Sequence, residues 1–273
     1  MGKYTYRTSK IKLHGFNNLT KSLNFNFYRI CYTETPQQKE EFIQLMDEEY
    51  SANRLTDILC EVAEMIGANV LNIAKQDYEP QGASATLLIA EEPVQYAKNY
   101  EQQKPYHYPA YNEVAREAVV AHLDKSHIAV HTYPESHPRT PMSTFRADID
   151  VSTCGLVSPL KALDFLLQTF GSDAAMIDYR VRGFTRDNVG KKHYLDHAIS
   201  SIQDFLSQEV KDKYELADTN VVEENLFHTK LKIKELGLES HVPYSEYGRL
   251  TRQKGRSAST KLNKELTAIF GSK

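Results

Sequence analysis

A chain of 273 residues, 41% hydrophobic and 25% charged, is long enough to bury a sizeable core as one large domain or two modest ones. Its net charge of −3 gives no bulk reason to expect a nucleic-acid or membrane partner. No apolar run approaches the roughly 20 residues that span a bilayer, and the opening MGKYTYRTSK has no apolar stretch of the secretory kind. Cys31, Cys60 and Cys154 show no CxxC spacing, so neither a disulfide framework nor a zinc site is expected, and a reducing cytoplasm is the simple setting. Cys31 and Cys60 read as small buried hydrophobes.

In chain order, NFNFYRICYT (24–33) is rich in aromatic and β-branched residues and predicts a strand. Helices are predicted over 37–50 and 53–66, the second stopping at Gly67. Strands over 69–76 and 84–91 flank a Pro80-Gln81-Gly82 turn and predict an antiparallel hairpin. The stretch 93–112 carries Tyr96, Tyr100, Tyr106, Tyr108 and Tyr111 with no period and reads as a long loop or insertion. Strands over 127–134 and 145–153 are expected to pair as a second hairpin. Ser158-Pro159 opens a helix over 159–169, and 174–183 is a strand. An amphipathic helix is predicted over 193–208, with Ile199, Ile202 and Phe205 on one face. Residues 226–236 fit strand or helix equally. The tail 244–273 holds seven Lys or Arg against Glu246 and Glu265 and reads as a basic, solvated, flexible end. Strands joined by hairpins and interspersed with helices give an α+β fold: a two-layer sandwich, mainly antiparallel sheet, with helices packed on one face.

The chemistry concentrates in LDKSHIAVHTYPESHP (123–138) and ADIDVSTCG (147–155). Ser126, His127, His131, Glu135, His137 and Cys154 crowd onto one predicted hairpin, where Thr, Lys or Glu would serve an ordinary strand. Three readings compete. Ser or Cys with His would make a hydrolytic pair. His127 with His131, or His193 with His197 at helical i,i+4 spacing, would hold a metal, although HExxH fails because Tyr194 stands where that pattern needs an acid. Alternatively the histidines are structural, the favoured reading for His137, His193 and His197.

DKSHIAVHTYPE and DVSTCGLVSPLKAL resemble the processing site and catalytic-cysteine segment of the S-adenosylmethionine decarboxylases, in their longer bacterial form. KLHGFNNLTKSL (12–23), NRLTDIL (53–59), GANVLNIAKQDYEPQGAS (67–84), FRADIDVSTCG (145–155) and DYRVRGFTRD (178–187) carry the same resemblance, over roughly residues 11–235. It implies a proenzyme that cleaves itself between Lys125 and Ser126 into chains 1–125 and 126–273. The cofactor would be a pyruvoyl group derived from Ser126, whose carbonyl takes the substrate amine as a Schiff base and serves as electron sink. By the same match His131 is the proton acceptor for processing and Cys154 the proton donor in decarboxylation. Glu135 would contact the substrate ribose, and Ser84 would assist processing. Ser126 and His131 differ by five, so a regular strand would point them to opposite faces, and the scissile bond is expected to sit in a turn or bulge before the strand becomes regular.

The implied product is the decarboxylated aminopropyl donor for spermidine biosynthesis. The implied assembly is a homo-oligomer of such chain pairs in the cytoplasm, with no nucleic-acid or membrane partner. No metal ligand is assigned, and Mg2+ is left room only as an activator. A pyruvoyl enzyme acting on arginine or ornithine is the close rival; a nucleic-acid-associated protein using the basic tail and a metal-dependent hydrolase are the others.

Overall fold

The computed structural model describes residues 18–90, 126–243 and 251–271. The Tyr-rich 93–112 stretch and Lys125 lie outside them. The strands are β1 (Thr20–Tyr32), β2 (Asn69–Asp77), β3 (Ala83–Ala90), β4 (Ser126–Ser136), β5 (Met142–Cys154), β6 (Ala174–Arg182), β7 (Thr185–Arg186), β8 (Lys192–His193), β9 (Tyr214–Asp218) and β10 (Leu226–Ile233). Eight of them form one sheet in the order β2-β3-β4-β5-β1-β6-β10-β9, and every pairing is antiparallel. The α+β expectation and both hairpins hold. Of the undecided segment 226–236, Leu226–Ile233 is strand, paired on both sides.

Helices α1 (Pro36–Glu49), α2 (Ala52–Ile66) and α3 (Leu163–Phe170) cover one face. Two short helices follow in the chain, α4 (Gln208–Lys213) and α5 (Leu238–His241). The ends of the long helices have local causes. Thr35 and Gln38 form a reciprocal capping box before α1, and α2 stops at Gly67 in the left-handed conformation, φ 82°. Ser158-Pro159 opens a 3-10 turn, Pro159–Ala162, that runs into α3. Alternate residues of β1, Leu23, Phe25, Phe27 and Cys31, point into this layer. A stack of rings knits it together: Phe25 on Phe27 at 5.2 Å, Phe27 on Phe170 at 5.1 Å, Phe170 on Tyr50 at 5.2 Å and Tyr50 on Phe145 at 4.6 Å.

Two segments differ from expectation. The helix predicted over 193–208 does not form. Asp196 sits at φ 61°, which an α-helix cannot continue through. Its carboxylate accepts from the Tyr179 hydroxyl at 2.8 Å and pairs with the buried Lys21 ammonium at 3.5 Å. Ile199 and Ile202 still reach the core, from irregular chain and a 3-10 turn at Ile202–Phe205. Within the basic tail 244–273, the described residues are not a loose end: Arg252–Phe270, α6, is a helix started by the Thr251 side chain. Ala258, Leu262 and Leu266, spaced by four, bury against Ile30, Tyr32, Ala174 and Val242. Ile30 and Tyr32 alternate with Cys31, so α6 lies on the second face of the sheet, which the one-sided reading leaves bare. Counting charges hides the apolar stripe.

Candidate active site

Ser126 is the first residue of β4 and Cys154 the last of β5. The strands are antiparallel neighbours, so both lie at one end of the sheet, beside the start of β1, where Thr20 pairs with Cys154. The Ser126 Oγ is 3.2 Å from the Cys154 Sγ. Ser126 is buried and Cys154 half-buried. A hydroxyl and a thiol in contact at the start of a strand can exchange a proton directly. The other thiols are placed differently. Burial pushes Cys31 up to about 12, which keeps it a protonated, inert thiol. Cys60 is half-buried at the margin of the core.

His131, Ser84 and Asp148 form a row across the second face: Ser84 is opposite His131, and His131 opposite Asp148. The Nδ1 of His131 is 3.1 Å from the Tyr78 hydroxyl. Asp148 accepts from Asn26 Nδ2 at 2.6 Å and Arg146 Nη2 at 2.9 Å, and Arg146 lies over the Tyr133 ring at 4.5 Å. Tyr78 and Asp148 are additions to the sequence-derived set. Asp148 could have been found from the alternation in RADID, which puts acids on one side of a central strand. No spacing rule marks Tyr78.

The scissile bond, where a turn or bulge is expected, lies with Lys125 outside the described residues, and from Ser126 onward β4 is regular. Pairing runs without a shift from Ile89–Ser126 to Ser84–His131, because Ile128 and Val130 must keep their places in the core. Five residues of strand span about 16 Å, so the two side chains do not meet within one chain. Glu135, exposed opposite Thr144, is nine residues from Ser126, about 30 Å along the strand. Without the predicted helix, His193 and His197 make no metal pair. His193 Nε2 meets Asp187 at 2.9 Å and His197 Nε2 meets the Gly183 carbonyl at 3.0 Å. His137 Nδ1 accepts from the Arg139 amide at 3.2 Å. Among the described residues no three His, Cys, Asp or Glu are grouped to hold a metal ion, and no helix is long and apolar enough to cross a membrane.

The family model for S-adenosylmethionine decarboxylase matches residues 44–183, which include the whole β4–β5 hairpin. The chain is 56% identical over 262 residues to an S-adenosylmethionine decarboxylase proenzyme of Pseudoalteromonas translucida, covering 96% of this chain and 94% of that one. The chain belongs to the S-adenosylmethionine decarboxylase family. A family proenzyme of Marinobacter nauticus is 53% identical, covering 97% of this chain and 98% of its own. One of Pseudomonas aeruginosa is 52% identical, covering 96% and 97%. Among solved structures, the family's enzyme from Aquifex aeolicus aligns at 14% identity with a TM-score of 0.30, over 63% of this chain and 91% of that one.

Proposed function

We propose that this chain is a self-processing decarboxylase of S-adenosylmethionine, supplying the aminopropyl donor for spermidine synthesis from the cytoplasm. The reading is supported by near-full-length identity to proenzymes of that name, and above all by the Ser126 hydroxyl and Cys154 thiol in contact at the start of β4. In the processing we propose, the Ser126 Oγ attacks the Lys125 carbonyl and the amide becomes an ester. Loss of the α-proton with expulsion of the Lys125 carboxylate leaves an alkene at residue 126. Its tautomer takes up water and releases ammonia, leaving a ketone at the head of the 126–273 chain.

A pyruvoyl group at residue 126 supplies a carbonyl that withdraws electrons from the substrate's α-carbon. Cys154 is in place to hold a proton beside that position and to deliver it where carbon dioxide has left. His131 and Glu135 cannot reach Ser126 along their own strand. In the oligomer we propose, a second copy presents them, since both stand on the polar second face of the sheet. Ser84 shares the row of His131 and is assigned the same step.

Intact mass under denaturing conditions tests the proposal. The expected result is two chains split after Lys125, the second of 148 residues (273 − 125) and lighter than its serine form by one ammonia. A chain that stays whole on incubation would sink it. Carbon dioxide release from S-adenosylmethionine, against arginine and ornithine, fixes the substrate.

A further inference from the structure

We propose that Tyr78 is a positioning residue for self-cleavage: its hydroxyl sets the tautomer of His131 and so aims the imidazole that accepts the proton. The inference rests on His131 having that role, and holds whether His131 serves its own chain or a neighbouring one. The Tyr78 oxygen is 3.1 Å from His131 Nδ1. It reaches there from a turn that is tied down on every side. The Tyr78 amide donates to the Gly82 carbonyl at 2.7 Å. The Gly82 amide donates to Asp47 of α1 at 2.9 Å, and the Gln81 side chain donates to the Pro134 carbonyl of β4. Just before it, Asp77 accepts from the Ala52 amide of α2 at 2.7 Å. A Cβ on Gly82 would stand 2.6 Å from the Thr132 carbonyl, so the turn lies directly on the strand that carries His131. The phenol is therefore held on a fixed platform rather than on a loose loop.

A neutral imidazole has one N–H, and its place decides which nitrogen can take a proton. With Nδ1–H donating to the Tyr78 oxygen, Nε2 keeps its lone pair for the reacting hydroxyl. Once Nε2 is protonated, Nδ1–H still donates to the same oxygen, so no rearrangement accompanies the transfer. With the phenol donating instead, Nε2–H would point at the reaction and could accept nothing. Only the first arrangement serves the chemistry, as the orienting partner of a catalytic histidine does elsewhere.

The test has two arms. In uncleavable full-length Ser126→Ala protein labelled with ¹⁵N-histidine, the His131 resonance, assigned with His131→Gln, should report the Nδ1–H tautomer. Adding Tyr78→Phe should move it toward Nε2–H. In the cleavable protein Tyr78→Phe should slow self-cleavage at least about tenfold, with the melting temperature within a few degrees of wild type. An Nε2–H tautomer in Ser126→Ala with Tyr78 intact overturns the inference, and needs no Tyr78 variant to fold. So does wild-type cleavage by Tyr78→Phe while His131→Gln is stalled. If His131→Gln itself cleaves at the normal rate, the base assignment fails first and the inference falls with it.

Discussion

Cys154 is set apart from the other two cysteines by position rather than by residue type. Cys31 points into the helix-covered core, where burial holds its proton, while Cys154 ends a strand against the Ser126 hydroxyl. Removing the Cys154 thiol deletes a proton donor but leaves the peptide bond before Ser126 in place. Cys154→Ala is expected to lower kcat for decarboxylation per processed chain by about 10²–10⁴, measured as carbon dioxide release from the cleaved fraction. A kcat within twofold of wild type would remove Cys154 from the reaction. The same thiol is legible in DVSTCG without any fold. Its contact with Ser126 is not, because the two lie 28 positions apart and meet only through the β4–β5 pairing.

At the scale of elements, the turn after β2 and the last helix carry the testable content. Gly82 has φ 89° and no room for a Cβ against Thr132. Gly82→Ala is therefore expected to cost about 1–3 kcal/mol, lowering the melting temperature by several degrees and slowing cleavage, since the displaced turn carries Tyr78. An unchanged melting curve would show that the turn adapts. Leu262 is fully buried between α6 and the sheet. Leu262→Ala should cost about 2–5 kcal/mol and expose the 252–270 segment to limited proteolysis, whereas a flexible tail would be cut equally in both proteins. The apolar spacing of Ala258, Leu262 and Leu266 is legible in the sequence but outweighed by the seven cations around it. At 193–208 the reverse holds. The apolar period is real, but Asp196 has to turn inward to meet Lys21, a buried pair that no local pattern announces.

For the molecule as a whole, two layers of helix clasp one sheet, and a buried ion pair fastens the second. His241 Nε2 meets Asp173 at 2.8 Å and its Nδ1 meets the Gly237 carbonyl at 2.6 Å, while Asp173 also accepts from the Ile30 amide. Both ring nitrogens face acceptors, so the charged form fits. Burial and the nearby Arg29 push the imidazole down, but Asp173 and the Gly237 carbonyl outweigh them and its pKa is raised. The stabilisation is then complete below the ordinary value near 6.5 and fades as pH rises through the raised one. Urea unfolding followed from pH 6 upward should show wild type losing stability relative to His241→Gln; parallel curves would exclude the pair as the cause. The proposed exchange of His131 between copies has its own check. Chains with Ser126→Ala and chains with His131→Ala, each uncut alone, should yield cleaved product when co-expressed, and no product would place the reaction within one chain.

The β4–β5 hairpin and the first two helices are legible along the chain, and the resemblance carried by DKSHIAVHTYPE and DVSTCGLVSPLKAL singles out Ser126, His131 and Cys154. The elements depend on short-range physics, strand alternation and the helix stop at Gly67, while the roles of the three residues are implied by the resemblance. What the chain order cannot reveal is which of those residues touch. A strand with a hydrophobic face in the core cannot slip or bulge without losing that burial, and this keeps β4 straight, Ser126 beside Cys154 and His131 some 16 Å away beside Tyr78. Contacts of that kind belong to the packing of the whole sheet, and only the folded molecule decides them.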